Sequence, residues 1–149
     1  MKIGFIGAGK MAEAMIAAAI RGDVAESHEI FAGDVSEARR SDMKRRYGIN
    51  TYSHNSAVVA AVPVVVLAVK PQVLDDVLQP LAEHVGSEHL LISIAAGRTL
   101  DSIETLVPGA RVVRVMPNLP ATVGAGVSAF CRGMHTTDAD ADVAARLLD

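Results

Sequence analysis

Two glycines in the peptide Ile6-Gly7-Ala8-Gly9-Lys10-Met11-Ala12 are spaced for one piece of chemistry, the binding of a pyrophosphate. In such a GxGxxA turn the first glycine permits a tight reversal and the second lets the backbone approach the anion. The small Ala12 lets the next helix pack on the strand it leaves. Free N–H groups of that helix's first turn, with the positive end of its dipole, then face the phosphates. Context carries the motif, because glycine-rich turns alone are common. Ile3, Phe5 and Ile6 precede it as a buried strand, and Met11, Met15, Ile16 and Ile20 follow at helical spacing.

Further candidates fall after later apolar runs: Asp34-Val35-Ser36, Ala68-Val69-Lys70-Pro71, Ser93-Ile94-Ala95-Ala96-Gly97 and Met116-Pro117-Asn118-Leu119-Pro120. Asp34 stands where a carboxylate accepts hydrogen bonds from ribose hydroxyls and repels a 2′-phosphate. Ser36, Arg39 and Arg40 follow at once and can offset that repulsion, or form a solvated helix face with Lys44, Arg45 and Arg46. The choice between NAD and NADP stays open on these residues. Pro71 disfavours helical geometry at Lys70 and starts a helix itself, so the Lys70 backbone can face a ligand. Asn118 lies between two prolines, and its amide can pair with a carboxamide such as that of nicotinamide.

The elements that must position these peptides alternate along the chain. Strands are expected at 2–6, 29–33, 63–69, 90–94 and 111–115, with helices at 9–20, 36–47, 72–84 and 100–106. A final strand is expected at 127–130. The pattern predicts an α/β fold with a doubly wound, mostly parallel sheet, in which ligands lie beyond the carboxyl ends of the strands. From Thr137, a helix N-cap, acids fill the first turn, and Val143, Leu147 and Leu148 form an apolar stripe. A calcium-loop reading of Asp138, Asp140 and Asp142 fails, because Val143 and Asp149 stand where that loop needs Gly and Glu.

Composition sets the class. The chain has 149 residues, half of them apolar and 3% aromatic, which suits one domain with a sheet covered on both faces. A net charge of −3 argues against general attraction to nucleic acid or an anionic membrane. No run is long enough to span a bilayer, and one cysteine, Cys131, fits a reducing, cytoplasmic compartment. Cys131 is expected as a small buried residue. His28, His54, His84, His89 and His135 lack metal-ligand spacing and are expected at the solvated surface, so no metal site is read. No Ser-His-Asp or Cys-His arrangement occurs either, so a cofactor must supply the bond-making step, and no catalytic residue is named in this chain.

Together the peptides resemble one family, the pyrroline-5-carboxylate reductases. The matching pieces are Gly4-Phe5-Ile6-Gly7-Ala8-Gly9 with Met11-Ala12-Glu13-Ala14, then Asn55 after the short segment 51–53, and Ala68-Val69-Lys70-Pro71-Gln72. Ser93-Ile94-Ala95-Ala96-Gly97 and Arg114-Val115-Met116-Pro117-Asn118 with Pro120-Ala121 complete them. They run in the family's order from residue 1 to about 130, and the combination is far more specific than the glycine turn alone. Departures are Lys10 for a polar amide, Val35 for a common basic residue and Leu119 for a threonine.

The resemblance implies reduction of 1-pyrroline-5-carboxylate to L-proline, in proline biosynthesis, by hydride from NADPH or NADH. It implies that Ile6, Gly7, Ala8, Gly9, Lys10 and Met11 cradle the pyrophosphate, that Asp34 and Ser36 hold the adenosine ribose, and that Asn55 contacts the adenosine half. Ala68, Val69, Lys70, Pro71, Ala95, Ala96 and Gly97 would line the central cofactor, with Asn118 and Pro120 near the nicotinamide. It further implies a Rossmann-type cofactor domain over residues 1–134 and the start of a connecting helix at 135–149. The family's C-terminal helical domain, which dimerises and carries much of the substrate pocket, is absent from this chain, so the chain alone is expected to turn over poorly or not at all. Two alternatives share the cofactor fold: a deazaflavin-dependent NADP reductase, and a non-catalytic dinucleotide-binding module.

Overall fold

A computed structural model describes residues 1–116 and 129–149. Among these residues seven strands form one sheet in the order β3-β2-β1-β4-β5-β6-β7. In chain order they are β1 (Ile3–Ile6), β2 (Ile30–Gly33), β3 (Asn50–Tyr52), β4 (Val64–Leu67), β5 (Leu90–Ser93), β6 (Arg111–Met116) and β7 (Ala129–Arg132). All neighbours pair in parallel except β6 and β7, which pair antiparallel with Val115 opposite Phe130. The doubly wound sheet expected from the sequence is therefore present. Its order reverses beside β1, which places a crevice at the carboxyl ends of β1 and β4.

Parallel strands buried on both faces explain the nearly continuous apolar runs. Side chains alternate between two layers. Ile3, Phe5, Val64, Val66, Ile92 and Val113 face the layer built by α1 (Lys10–Arg21), α2 (Glu37–Tyr47) and α6 (Asp138–Leu148). Ile6, Val65, Leu67, Leu91 and Val112 face α3 (Asn55–Ala61), α4 (Leu74–Leu81) and α5 (Leu100–Leu106). Segment 135–149 contributes α6, whose Ala144 and Leu147 are buried in the first layer with α1.

Several boundaries differ from expectation. The helix expected at 72–84 begins as a single 3-10 turn at Pro71–Val73 and is α-helical only over Leu74–Leu81. Beyond it Ala82 and His84 donate to carbonyls three residues back, which tightens and ends the helix. Helix α3 was not foreseen, because seven residues with two buried valines give no readable period. Only part of the strand expected at 127–130 lies among the described residues, where β7 covers Ala129–Arg132.

Two side chains reverse their expected environments. His89 is buried, not solvated: its Nδ1 accepts from the Gly86 N–H at 3.2 Å, so its Nε2–H donates to the Val59 carbonyl at 3.2 Å. That pairing satisfies an imidazole at the amino end of β5. Cys131 is exposed instead of buried, because β7 is an edge strand with little packed over it. Among the described residues no helix is long and apolar enough to cross a membrane. No group of three or more His, Cys, Asp or Glu side chains there could hold a metal.

Candidate dinucleotide site

The glycine turn sits where β1 ends in the middle of the sheet. Gly7 has φ +94°, a left-handed conformation, and a Cβ there would lie 2.8 Å from the Ala68 carbonyl oxygen, so only glycine fits. Gly9 differs in kind. Its backbone is extended, and a Cβ added to it would meet nothing within 4 Å among the described residues. Glycine there leaves open space, as a backbone that must be approached by a ligand requires.

Helix α1 starts at Lys10 with no side-chain cap, and its first internal bond runs from the Glu13 N–H to the Gly9 carbonyl. Among the described residues, the N–H groups of Gly9, Lys10, Met11 and Ala12 meet no protein acceptor. Four donors therefore converge at the positive end of a 12-residue helix, an arrangement that suits an anion. The open side at Gly9 and these free donors fit a dinucleotide's pyrophosphate.

Beside this turn a cleft of about 460 Å³ opens over the carboxyl ends of β4, β5 and β6. Gly9, Lys10, Met11, Ala68, Val69, Lys70, Pro71, Ala95, Ala96 and Gly97 all line it, so ten of the residues singled out from the sequence share one wall. Ile94, Arg114, Val115 and Met116 line it too and were not singled out as site residues. Their signal was available, since 114–116 run straight into the Pro117-Asn118 peptide. Lys70 is extended at φ −61°, ψ 143°, as Pro71 demands. Arg98 ties the two loops together, donating to the Pro71 carbonyl at 3.3 Å and pairing with Asp75.

The remaining residues lie on the other side of the turn. Ile6 is buried in the second layer, and Ala8 is buried within the turn. Asp34 follows β2, where one carboxylate oxygen accepts from the Ala8 N–H and the other from the Ser36 N–H, each at 2.9 Å. Ser36 caps α2 by accepting from the Arg39 N–H at 3.2 Å. Asn55 opens α3 against the end of β2, so close that a Cβ on Gly33 would come within 2.6 Å of its Oδ1. Asn118 and Pro120 lie outside the described residues.

The two arginines considered for a 2′-phosphate both bond within the protein, Arg39 through all three guanidinium nitrogens and Arg40 through Nη1. Arg40 donates to the carbonyls of Asp34 at 2.8 Å and Val35 at 3.2 Å. Arg39 reaches back to the glycine turn and pairs with Glu13 at 2.5 Å. Glu13 also takes the Tyr47 hydroxyl at 2.7 Å and Arg46 at 2.6 Å. The Arg39 and Tyr47 hydrogen bonds hold the Glu13 carboxyl below its usual range, and the same Glu13 bond pushes the Tyr47 phenol up. Sequence reading missed this network, because it joins α1 to α2 through residues that look like ordinary solvated charges.

Residues 2–97 match the family model described as NADP oxidoreductase, coenzyme F420-dependent. The chain belongs to this NADP oxidoreductase family. Within the family it is similar to the N-terminal half of pyrroline-5-carboxylate reductases. It is 43% identical over 140 residues to the one from Methanosarcina acetivorans, covering 93% of this chain and 52% of that protein. A pyrroline-5-carboxylate reductase from Coxiella burnetii superposes with a TM-score of 0.94 at 29% identity, covering 99% of this chain and 55% of that one. The Plasmodium falciparum pyrroline carboxylate reductase, solved with NADP bound, gives 0.87 at 26% identity, with 99% and 54% covered. The NADP oxidoreductase chain thus spans about half the length of the relatives it matches.

Proposed function

We propose that this chain is the cofactor-binding half of a pyrroline-5-carboxylate reductase, which reduces 1-pyrroline-5-carboxylate to L-proline with NADPH or NADH. The observation that carries the reading is the open face at Gly9, where N–H groups without a protein acceptor among the described residues lie beside the cleft over β4–β6. The named relatives supply the substrate class.

When bound, the nicotinamide cofactor supplies a hydride equivalent. This chain's part is to bind, orient and exclude water. The free N–H groups of residues 9–12 hold the pyrophosphate, and Gly9 leaves room for it. Asp34 faces the adenosine ribose with Ser36, and Asn55 lies on the adenosine side. Val69, Ala95, Ala96, Gly97, Val115 and Met116 give the nicotinamide half a mostly apolar wall, and the family resemblance adds Asn118 and Pro120 as its contacts. A substrate domain, with the dimer contacts of a homo-oligomer, belongs to the length that the relatives have in addition. A reducing, cytoplasmic setting is supported by the single, exposed Cys131 thiol.

The deciding experiment presents the full-length protein with NADPH or NADH and either 1-pyrroline-5-carboxylate or an oxidised deazaflavin, following loss of nicotinamide absorbance. Oxidation with the cyclic imine alone is expected. Oxidation with the deazaflavin alone would replace the reading with the family model's own description. Cofactor binding without oxidation by either acceptor would favour a dinucleotide-binding module.

A further inference from the structure

The glycine turn is gripped from behind by α2. The Arg39 Nε donates to the Ala8 carbonyl, and Nη2 donates to the Gly9 carbonyl at 3.4 Å. In a planar trans peptide a carbonyl and the next N–H point in opposite directions. Holding the Ala8 carbonyl toward Arg39 therefore turns the Gly9 N–H away from it as a donor for an anion, and the Gly9 carbonyl, shared between Arg39 and the Glu13 N–H at 2.9 Å, leaves the Lys10 N–H facing the same way.

The guanidinium is itself fixed. Glu13 takes Nη2 at 2.5 Å, and Asp42 takes Nη1 at 3.3 Å. Four of the five N–H donors that an arginine carries are thereby spent on named protein acceptors. Glu13 is held in turn by Tyr47 and Arg46, so the whole cluster braces one face of the turn. A guanidinium so engaged is poorly placed to take up a 2′-phosphate.

We propose that Arg39, fixed by Glu13, is a positioning residue for the dinucleotide pyrophosphate, acting through the peptide groups of Ala8 and Gly9 and not by touching phosphate. This rests on the cofactor-binding reading above. It also separates Arg39 from the 2′-phosphate role that its neighbourhood to Asp34 and Ser36 suggests. Cofactor choice between NADH and NADPH then falls to other groups at the end of β2.

The test titrates NADH and NADPH into the full-length wild type, Arg39→Met, Glu13→Gln and the double variant, with urea unfolding to count only folded protein. Arg39→Met is expected to weaken both cofactors by the same factor, roughly tenfold. The NADPH-to-NADH affinity ratio stays unchanged. Glu13→Gln weakens both by less, and adds little in the Arg39→Met background. In turnover, the KM for the cofactor rises while kcat at saturating cofactor holds.

A loss confined to NADPH would overturn the proposal by making Arg39 a direct 2′-phosphate ligand, and unchanged affinities in folded Arg39→Met would overturn it outright. Should Arg39→Met not fold, Arg39→Lys answers the same question. It keeps the charge but cannot span both carbonyls, so an equal loss for both cofactors is again expected, and a wild-type ratio with wild-type affinities would refute the idea. Failure of the wild type to bind either cofactor is a different result, and it removes the cofactor reading itself.

Discussion

The Asp34 carboxylate lies 2.9 Å from the Ala8 amide, and this one bond ties the end of β2 to the glycine turn that follows β1. The second oxygen of the same carboxylate holds the Ser36 N–H and so shapes the turn into α2. Asp34 is thus a brace as well as a candidate ribose ligand. Those roles separate in a substitution.

Asp34→Asn keeps the size but removes the charge and places an amide donor against one of two N–H groups. Stability is expected to fall by about 1–3 kcal/mol in urea unfolding. Affinity for NADH should fall more than that for NADPH, because the repulsion of a 2′-phosphate is lost along with a ribose acceptor. Equal losses for both cofactors would refute the ribose role.

Gly7 and Gly9 should fail differently. Gly7→Ala combines a left-handed backbone with a 2.8 Å clash against the Ala68 carbonyl, and is expected to lower stability by about 1–3 kcal/mol. A Cβ at Gly9 meets nothing within 4 Å among the described residues, so most of the stability of Gly9→Val should survive while cofactor affinity collapses. Calorimetric titration beside a thermal melt distinguishes the two. A Gly9→Val protein with wild-type affinity would show that the anion does not pass over Gly9.

Asp140 carries structural weight that its place among surface acids conceals. It is buried, pairs with Arg111 at 2.5 Å, and closes a capping box with the Thr137 N–H at 2.8 Å. Asp140→Ala leaves Arg111 without that partner and opens the start of α6. The expected cost is about 2–4 kcal/mol in urea, with cofactor affinity per folded molecule unchanged. A loss under about 0.5 kcal/mol, the size of an ordinary surface substitution, would contradict it.

Acid should loosen the brace between α1 and α2. The Glu13 carboxyl is held below its ordinary value of 4.5, mainly by its hydrogen bonds from Arg39 and Tyr47. A depressed folded-state value means that this contribution is complete above the unfolded value and is lost as pH falls through the folded one. Tyr47 has the opposite sign: its raised phenol contributes below about pH 10 and loses its part as pH rises further. Urea midpoints measured from about pH 6 to about pH 3 should fall less steeply in Glu13→Gln than in the wild type. Parallel curves would show that Glu13 does not titrate with folding.

Much of the architecture could be read from residue order. Apolar runs such as Val64–Leu67 and Leu90–Ser93 announce strands buried on both faces, and helices between them force parallel pairing. Helix α3 escaped because its seven residues supply only one apolar contact patch. The environments of His89 and Cys131 escaped for a different reason. Burial of a single side chain depends on what lies across it: for His89 the Val59 carbonyl and Gly86 amide, and for Cys131 the free side of an edge strand.

By itself the sequence determined the doubly wound sheet, the glycine turn after its first strand, and the candidate peptides at the strand ends. Those features are local: periodicity, glycine and proline write them into short stretches of chain. Only the tertiary structure decided which charges face the turn. Arg39 and Glu13 are 26 residues apart and nothing in their spacing pairs them, yet packing α2 beside α1 brings them to 2.5 Å and aims the guanidinium at the Ala8 and Gly9 carbonyls. Side-chain partners across helices follow from how the helices cross, and no spacing within either helix encodes that crossing.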